Sequence, residues 1–188
     1  AQVDMLPVFG TEDSKGKFME VVAESIGVKA EDILSHDLYL YTREKGTVWG
    51  YQNEFVSAGH LDDLQCAFGS LYGFLGASDS ESIPVVAIFD NEEVGSGTKQ
   101  GADSTFLEDT LERIALSCGK KPEEAKRAIA SSFMVSADNA HAVHPNHVEK
   151  VDPINRPQMN KGIVIKYNAN QKYTTDAVSA AVFKEVCA

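Results

Sequence analysis

A chain of 188 residues with 43% hydrophobic and 24% charged residues is long enough for a sizeable core, as one domain or one domain plus part of another, and lies far from disordered or fibrous compositions. Its formal net charge of −11 argues against a nucleic-acid partner, because such affinity comes mainly from Lys and Arg releasing counterions from phosphates. No apolar run approaches the roughly 20 residues that span a bilayer, and the start AQVDMLPVFG lacks the regions of a signal peptide, so a cytoplasmic protein without a membrane partner is expected.

In chain order, Phe18, Val21, Val22 and Ile26 mark one face of a helix, with Gly27 as its C-terminal cap. Asp37 to Thr42 alternates Leu38 and Leu40 with Tyr39 and Tyr41, which predicts a strand, and TREKGTVWGYQNE reads as a polar connection. A soft boundary falls near Thr47, giving segments 1–47 and 48–188. From Leu61 to Leu75 the apolar positions Leu61, Leu64, Phe68, Leu71, Tyr72 and Leu75 predict a core helix closed by Gly76. Ile83 to Phe89 is a short apolar run rich in β-branched residues, which suits a strand buried on both faces.

Helical spacing returns at Phe106, Leu107, Leu111, Ile114 and Ala115, after Asp103 or Ser104 as N-cap, and Pro122 suits the first turn of another helix. Phe133 to Ser136 and Ile163 to Tyr167 are further strand candidates. Thr174 or Thr175 can cap a last helix with Ala177, Val178, Ala181, Val182 and Val186 on its apolar face. Strands alternating with helices predict an α/β sandwich with a largely parallel sheet. Cys66, Cys118 and Cys187 lack C-x-x-C spacing and read as free thiols.

Sites in open α/β sheets form beyond the carboxyl ends of the strands. Asp90, Glu92 and Glu93 follow the run ending at Phe89, and Asp138, His141, His144 and His147 follow the run ending at Ser136; His60, Asp62 and Asp63 open the core helix. Neighbouring side chains in extended backbone point in opposite directions, so Glu92 and Glu93 can divide the tasks of meeting a water and holding a metal. Carboxylate and imidazole donors suit zinc, manganese or cobalt, and a carboxylate such as Asp62 can bridge two ions. Each signal also has an ordinary structural reading: a solvated loop for the Glu pair, an N-cap for Asp62 or Asp63, satisfied loop histidines in HAVHPNH, and core thiols for Cys66 and Cys118.

The order of these segments resembles a known family. HLDDL at 60–64, FDNEEVGSGTKQGA at 89–102, SADNAHAVHPN at 136–146 and KGIVIKYNANQKYTTDAVS at 161–179 are similar to successive blocks of the M18 (aspartyl aminopeptidase) metalloaminopeptidases, from about Lys15 to the end. A bare E-E-x-G also fits the M42 peptidases, whereas HAVHPN and VIKYNANQKY are specific to M18. The resemblance implies a three-layer sandwich, two divalent metal ions (zinc first, with manganese or cobalt as alternatives) and a peptide substrate with a free N-terminus. It makes Asp62 the bridging carboxylate, Glu92 the general base, and Glu93 and Asp138 terminal metal ligands. His144 resembles the histidine that steadies the oxyanion, and His141 is a substrate-binding candidate. Lys166 matches a lysine that meets an acidic first side chain, with a surface lysine as the plain alternative.

By the same resemblance, residues 1–47 are the remainder of an inserted dimerisation domain, 48–188 are a partial catalytic domain, and the full enzyme is a homo-oligomer, with a tetrahedral dodecamer as the family's large form. Two His-bearing blocks of the family have no counterpart here, His60 replaces the usual Arg, and Asp63 replaces the usual Asn. A partial chain, inactive by itself, is therefore expected. The alternatives are an M42-like peptidase and a non-catalytic fragment that only folds or assembles.

Overall fold

The computed structural model describes residues 3–78 and 80–188. The chain divides into two compact units, Ala1–Lys45 and Gly46–Ala188. In the first, helix α1 (Phe18–Ile26) forms where the apolar spacing predicts it. Gly27 ends it in the left-handed conformation (φ 73°, ψ 32°), which lets the Gly27 and Val28 N–H groups turn back to the Ala23 carbonyl. Phe9 meets Phe18 edge to face at 5.2 Å. The strand expected over Asp37–Thr42 makes no ladder among the described residues; Leu38, Tyr39, Leu40 and Tyr41 are all exposed, so the alternation buries neither face.

In the second unit, the segment read as a polar connection is a hairpin. Strands β1 (Thr47–Trp49) and β2 (Phe55–Ser57) pair antiparallel with Val48 opposite Val56 and Trp49 opposite Phe55. The aromatic pair lies at 4.8 Å between ring centroids, and Trp49 Nε1 donates to Ser57 Oγ at 2.7 Å. Cross-strand β-branched and aromatic pairs thus outweigh the polar turn residues between them.

Helices α2 (Leu61–Gly76), α3 (Phe106–Ser117), α4 (Pro122–Ala130) and α5 (Ala177–Cys187) follow. Pro122 occupies the first turn of α4 as expected, and Lys126 on α4 pairs with Glu108 on α3 at 2.6 Å. The cap of α5 is Asp176, not Thr174 or Thr175. Ser179 N–H donates to Asp176 Oδ1 at 2.7 Å, and the Asp176 N–H donates to Ser179 Oγ at 2.9 Å. A carboxylate three positions before a hydroxyl makes this reciprocal pair, which neither threonine makes.

The fold mixes helices with a short hairpin. Among the described residues the hairpin is the one sheet, so the expected parallel ladder of 83–89, 133–136 and 163–167 does not form within them. These runs leave Ile83, Val85, Phe133, Met134 and Ile163 exposed, and the face of α2 expected in a core exposes Leu64, Phe68, Tyr72 and Leu75. A strand needs neighbours for its backbone donors and acceptors, and none of the described residues forms a ladder with these runs. Buried positions among the described residues are Ala23, Gly101 and Ala180.

Candidate functional site

The site lies in the second unit, where three loops converge. At the start of α2 the chain departs from helical geometry at Asp62 (φ −90°, ψ 108°) and Asp63 (φ −121°, ψ 26°), and no side chain caps the helix. The carboxylates are therefore directed away from an N-cap role. The peptide bond between them is cis.

Glu92 and Glu93 follow the apolar run ending at Phe89. They lie in a single 3₁₀ turn, Glu92–Val94, held between left-handed Asn91 and Gly95. This corrects the extended geometry expected from sequence. Successive side chains in such a turn are about 120° apart rather than opposed, so both can face one space. The loop closes through Asp90 N–H to the Gln100 carbonyl (3.1 Å) and Ser96 N–H to the Asn91 carbonyl (3.0 Å). Gly101 packs against it so tightly that a Cβ there would collide with the Ser96 carbonyl oxygen, which only glycine avoids.

Asp138 lies in the third loop beside Lys166. Lys166 Nζ donates to Asp138 Oδ2 at 2.5 Å and to the Asn139 carbonyl at 2.6 Å. Partial burial works against its charge, yet the hydrogen bond and charge of Asp138 outweigh this and raise the Lys166 ammonium above its ordinary range.

These loops, with the segment carrying Lys166 and Tyr173, border an open cleft of about 350 Å³ lined by Asp62, Glu92, Glu93, Asp138, His141 and Lys166, together with Asn139, Ala140 and Tyr173. Six of the seven residues given roles by the resemblance thus line one space. His144 lies outside it: its ring sits 5.5 Å from that of His147, tilted by 40°, and its Nδ1 accepts the Asn146 N–H at 3.2 Å. The loop carries the first histidine of HAVHPN to the cleft and turns the second away.

Carboxylate oxygens of Asp62, Asp63 and Asp138 lie within 4.8 Å of one another. Glu93 lines the cleft but is not one of these three. Asp63 Oδ1 is buried and without a hydrogen-bond partner. Clustered anions repel unless a cation or protons intervene, and hard oxygen donors with an unsatisfied buried atom fit a divalent ion. Cys66 packs behind them: burial, then the neighbouring Asp63 carboxylate, pushes its thiol up to about 11.

From sequence, Asp63 stands at the start of the core helix as an N-cap candidate and as a departure from the usual Asn, without a role in metal binding, and Asn139 and Tyr173 carry no role at all. The signal for all three was their position inside blocks already singled out, HLDDL, SADNAHAVHPN and VIKYNANQKY.

An acidic, oxygen-donor cleft with an adjacent glutamate pair has the donor chemistry that metal-assisted hydrolysis uses. The family model for the Aminopeptidase I zinc metalloprotease (M18) matches residues 5–188; the chain belongs to the M18 family, and the match begins ahead of Lys15. A probable M18 family aminopeptidase 2 of Clostridium acetobutylicum is 50% identical over 190 residues, covering 99% of this chain and 44% of that protein. An aspartyl aminopeptidase of Caenorhabditis elegans is 38% identical over 182 residues, covering 94% and 38%. The structure of the S. cerevisiae mApe1 dodecamer superposes with a TM-score of 0.71 at 30% identity, covering 95% of this chain and 44% of that one. The chain spans less than half the length of these relatives. No helix among the described residues is long and apolar enough to cross a membrane.

Proposed function

We propose that this chain carries part of the catalytic domain of a cocatalytic di-metal aminopeptidase that removes N-terminal residues, acidic ones among them, from peptides. The observation that carries the reading is the single cleft shared by Asp62, Glu92, Glu93 and Asp138, residues drawn from three separate loops. Asp62, Glu93 and Asp138 are assigned to hold two divalent ions, with Asp63 close by; zinc is the first choice, and manganese and cobalt accept the same donors. When bound, the ions supply Lewis-acid polarisation of the scissile carbonyl and anchor the free amine.

Glu92 accepts a proton from the attacking water and returns it to the leaving amine. His141, on the cleft wall, is better placed than His144 to meet the substrate and its developing oxyanion, so we transfer that role to it. Lys166 offers a cation to an acidic first side chain.

Residues 1–47 are assigned to an inserted dimerisation domain and 48–188 to the catalytic domain, a reading supported by the division between Lys45 and Gly46. The exposed apolar runs at 83–89 and 163–167 suit a three-layer sandwich whose further strands lie outside these residues. The likeness to a dodecameric relative supports a homo-oligomer.

Metal analysis combined with hydrolysis of aspartyl and leucyl amides by the full-length protein tests this reading. Two ions per chain with release of the N-terminal residue are expected. A protein loaded with metal that releases neither residue would overturn it.

A further inference from the structure

Asn139 connects the parts of the cleft that carry the carboxylates. Its side-chain amide nitrogen donates to the Leu61 carbonyl at 2.9 Å, and its Oδ1 accepts from Cys66 Sγ at 3.1 Å. Its own carbonyl accepts from Lys166 Nζ at 2.6 Å. Leu61 directly precedes Asp62, Cys66 lies one turn further along α2, and Asn139 directly follows Asp138. One residue therefore grips both sides of the segment bearing Asp62 and Asp63 from a loop 78 positions away, while the same loop is held by Lys166.

The residue type matters at this place. Asp62, Asp63 and Asp138 lie within 4.8 Å, and their mutual repulsion pushes the two segments apart. A neutral amide offers an N–H donor group and a carbonyl acceptor in a fixed geometry without adding charge. An aspartate would add another anion and lose the donor, and an alanine would leave the Leu61 carbonyl without this partner.

Resting on the metal-site reading above, we propose that Asn139 is a positioning residue, which holds Asp62 and Asp138 at the separation a divalent ion requires. Groups that orient metal ligands from behind commonly change metal affinity by about 10- to 100-fold when removed. A residue that merely packs a loop would lower the melting temperature and leave the metal affinity of the folded protein alone.

The test is calorimetric titration of Zn²⁺ and Mn²⁺ into the full-length wild type, Asn139→Ala and Cys66→Ala, with thermal melts and steady-state kinetics beside it. Asn139→Ala should bind either ion about 10- to 100-fold more weakly and, at saturating metal, lower kcat while leaving KM near wild type. Cys66→Ala, which frees Oδ1 but keeps the Leu61 contact, should weaken binding several-fold. A folded Asn139→Ala with the wild-type Kd overturns the inference while leaving the metal reading intact. If Asn139→Ala fails to fold, an unchanged Kd in Cys66→Ala overturns it instead. A wild type that binds neither ion removes the metal reading and this inference together.

Discussion

Lys166 and Asp138 form a direct ion pair, with Nζ 2.5 Å from Oδ2, across 28 residues of sequence. Lys166 therefore acts on the cleft before any substrate arrives, by fixing a carboxylate assigned to hold metal. Its side chain is about a quarter exposed (28%), so the same ammonium also borders the open space of the cleft.

Two consequences can be separated by substitution. Lys166→Ala should reduce kcat/KM for leucyl substrates through the disturbed Asp138. It should reduce kcat/KM for aspartyl or glutamyl substrates further, by about 2 kcal/mol or more if a charged contact to the first side chain is lost as well. Kinetics on matched acidic and neutral peptides, at saturating metal, measure the difference. Equal losses on both would remove the specificity role and leave only the ion pair.

The two histidines of HAVHPN differ in placement: His141 lines the cleft, whereas His144 is turned toward His147. His141→Ala should cost about 10²-fold or more in kcat, the usual scale for a lost oxyanion donor. His144→Ala should cost less than tenfold, by disturbing the loop alone. The reverse order in a kinetic comparison of the two variants would return the oxyanion role to His144.

Much of the site was legible because its residues cluster in short blocks after apolar runs, where the chemistry of an α/β protein collects. Glu92, Glu93, Asp138 and His141 were found this way, Asp62 by its place at the start of a helix and Lys166 through the family resemblance, and all six meet in one cleft. The helices were legible for a related reason: the period of Phe18 to Ile26 or of Phe106 to Ile114 is a local property. What failed depends on distant partners. The strand expected at Asp37–Thr42 has pattern without pairing, and the run Ile83–Phe89 has β propensity without a neighbour among the described residues. The hairpin was missed because Val48, Trp49, Phe55 and Val56 are separated by polar turn residues that mask their pairing. Asn139 was missed because its partners, Leu61 and Cys66, lie far away in sequence, and no local pattern encodes them.

Asp176 offers a test of the cap that replaced the threonines. Its carboxylate accepts the Ser179 N–H, and that hydrogen bond holds it below the usual carboxylate range. A depressed folded pKa means that the stabilisation is present above the unfolded value near 3.8 and is lost as pH falls through the folded value. Asp176→Ala should lower the melting temperature by about 2–4 °C near pH 7, and the gap to wild type should close below roughly pH 4. Asp176→Asn, which keeps an acceptor but does not titrate in this range, should melt closer to wild type and show a flatter pH profile. Melting curves from pH 7 to pH 2 measure all three. A gap that persists unchanged into acid would mean that the carboxylate does not supply the cap's stability.

The glutamate pair gives the sharpest test of the mechanism, because the two side chains leave one 3₁₀ turn at different angles and yet line the same cleft. Position alone cannot assign their roles, and the two tasks differ in what they require. A general base has to be free to take a proton from water, while a ligand is committed to a cation. In the full-length protein, Glu92→Gln should keep both metals and lose about 10²- to 10⁴-fold in kcat, the ordinary range for a missing general base. Glu93→Gln should lower metal occupancy, and part of its activity should return with added metal. Elemental analysis beside kinetics distinguishes them, since one variant is metal-replete and slow whereas the other is metal-poor and rescuable. A Glu92→Gln protein with near-normal turnover would remove the base from the mechanism. If Glu92→Gln were the metal-poor variant and Glu93→Gln the replete one, the two assignments would have to be exchanged.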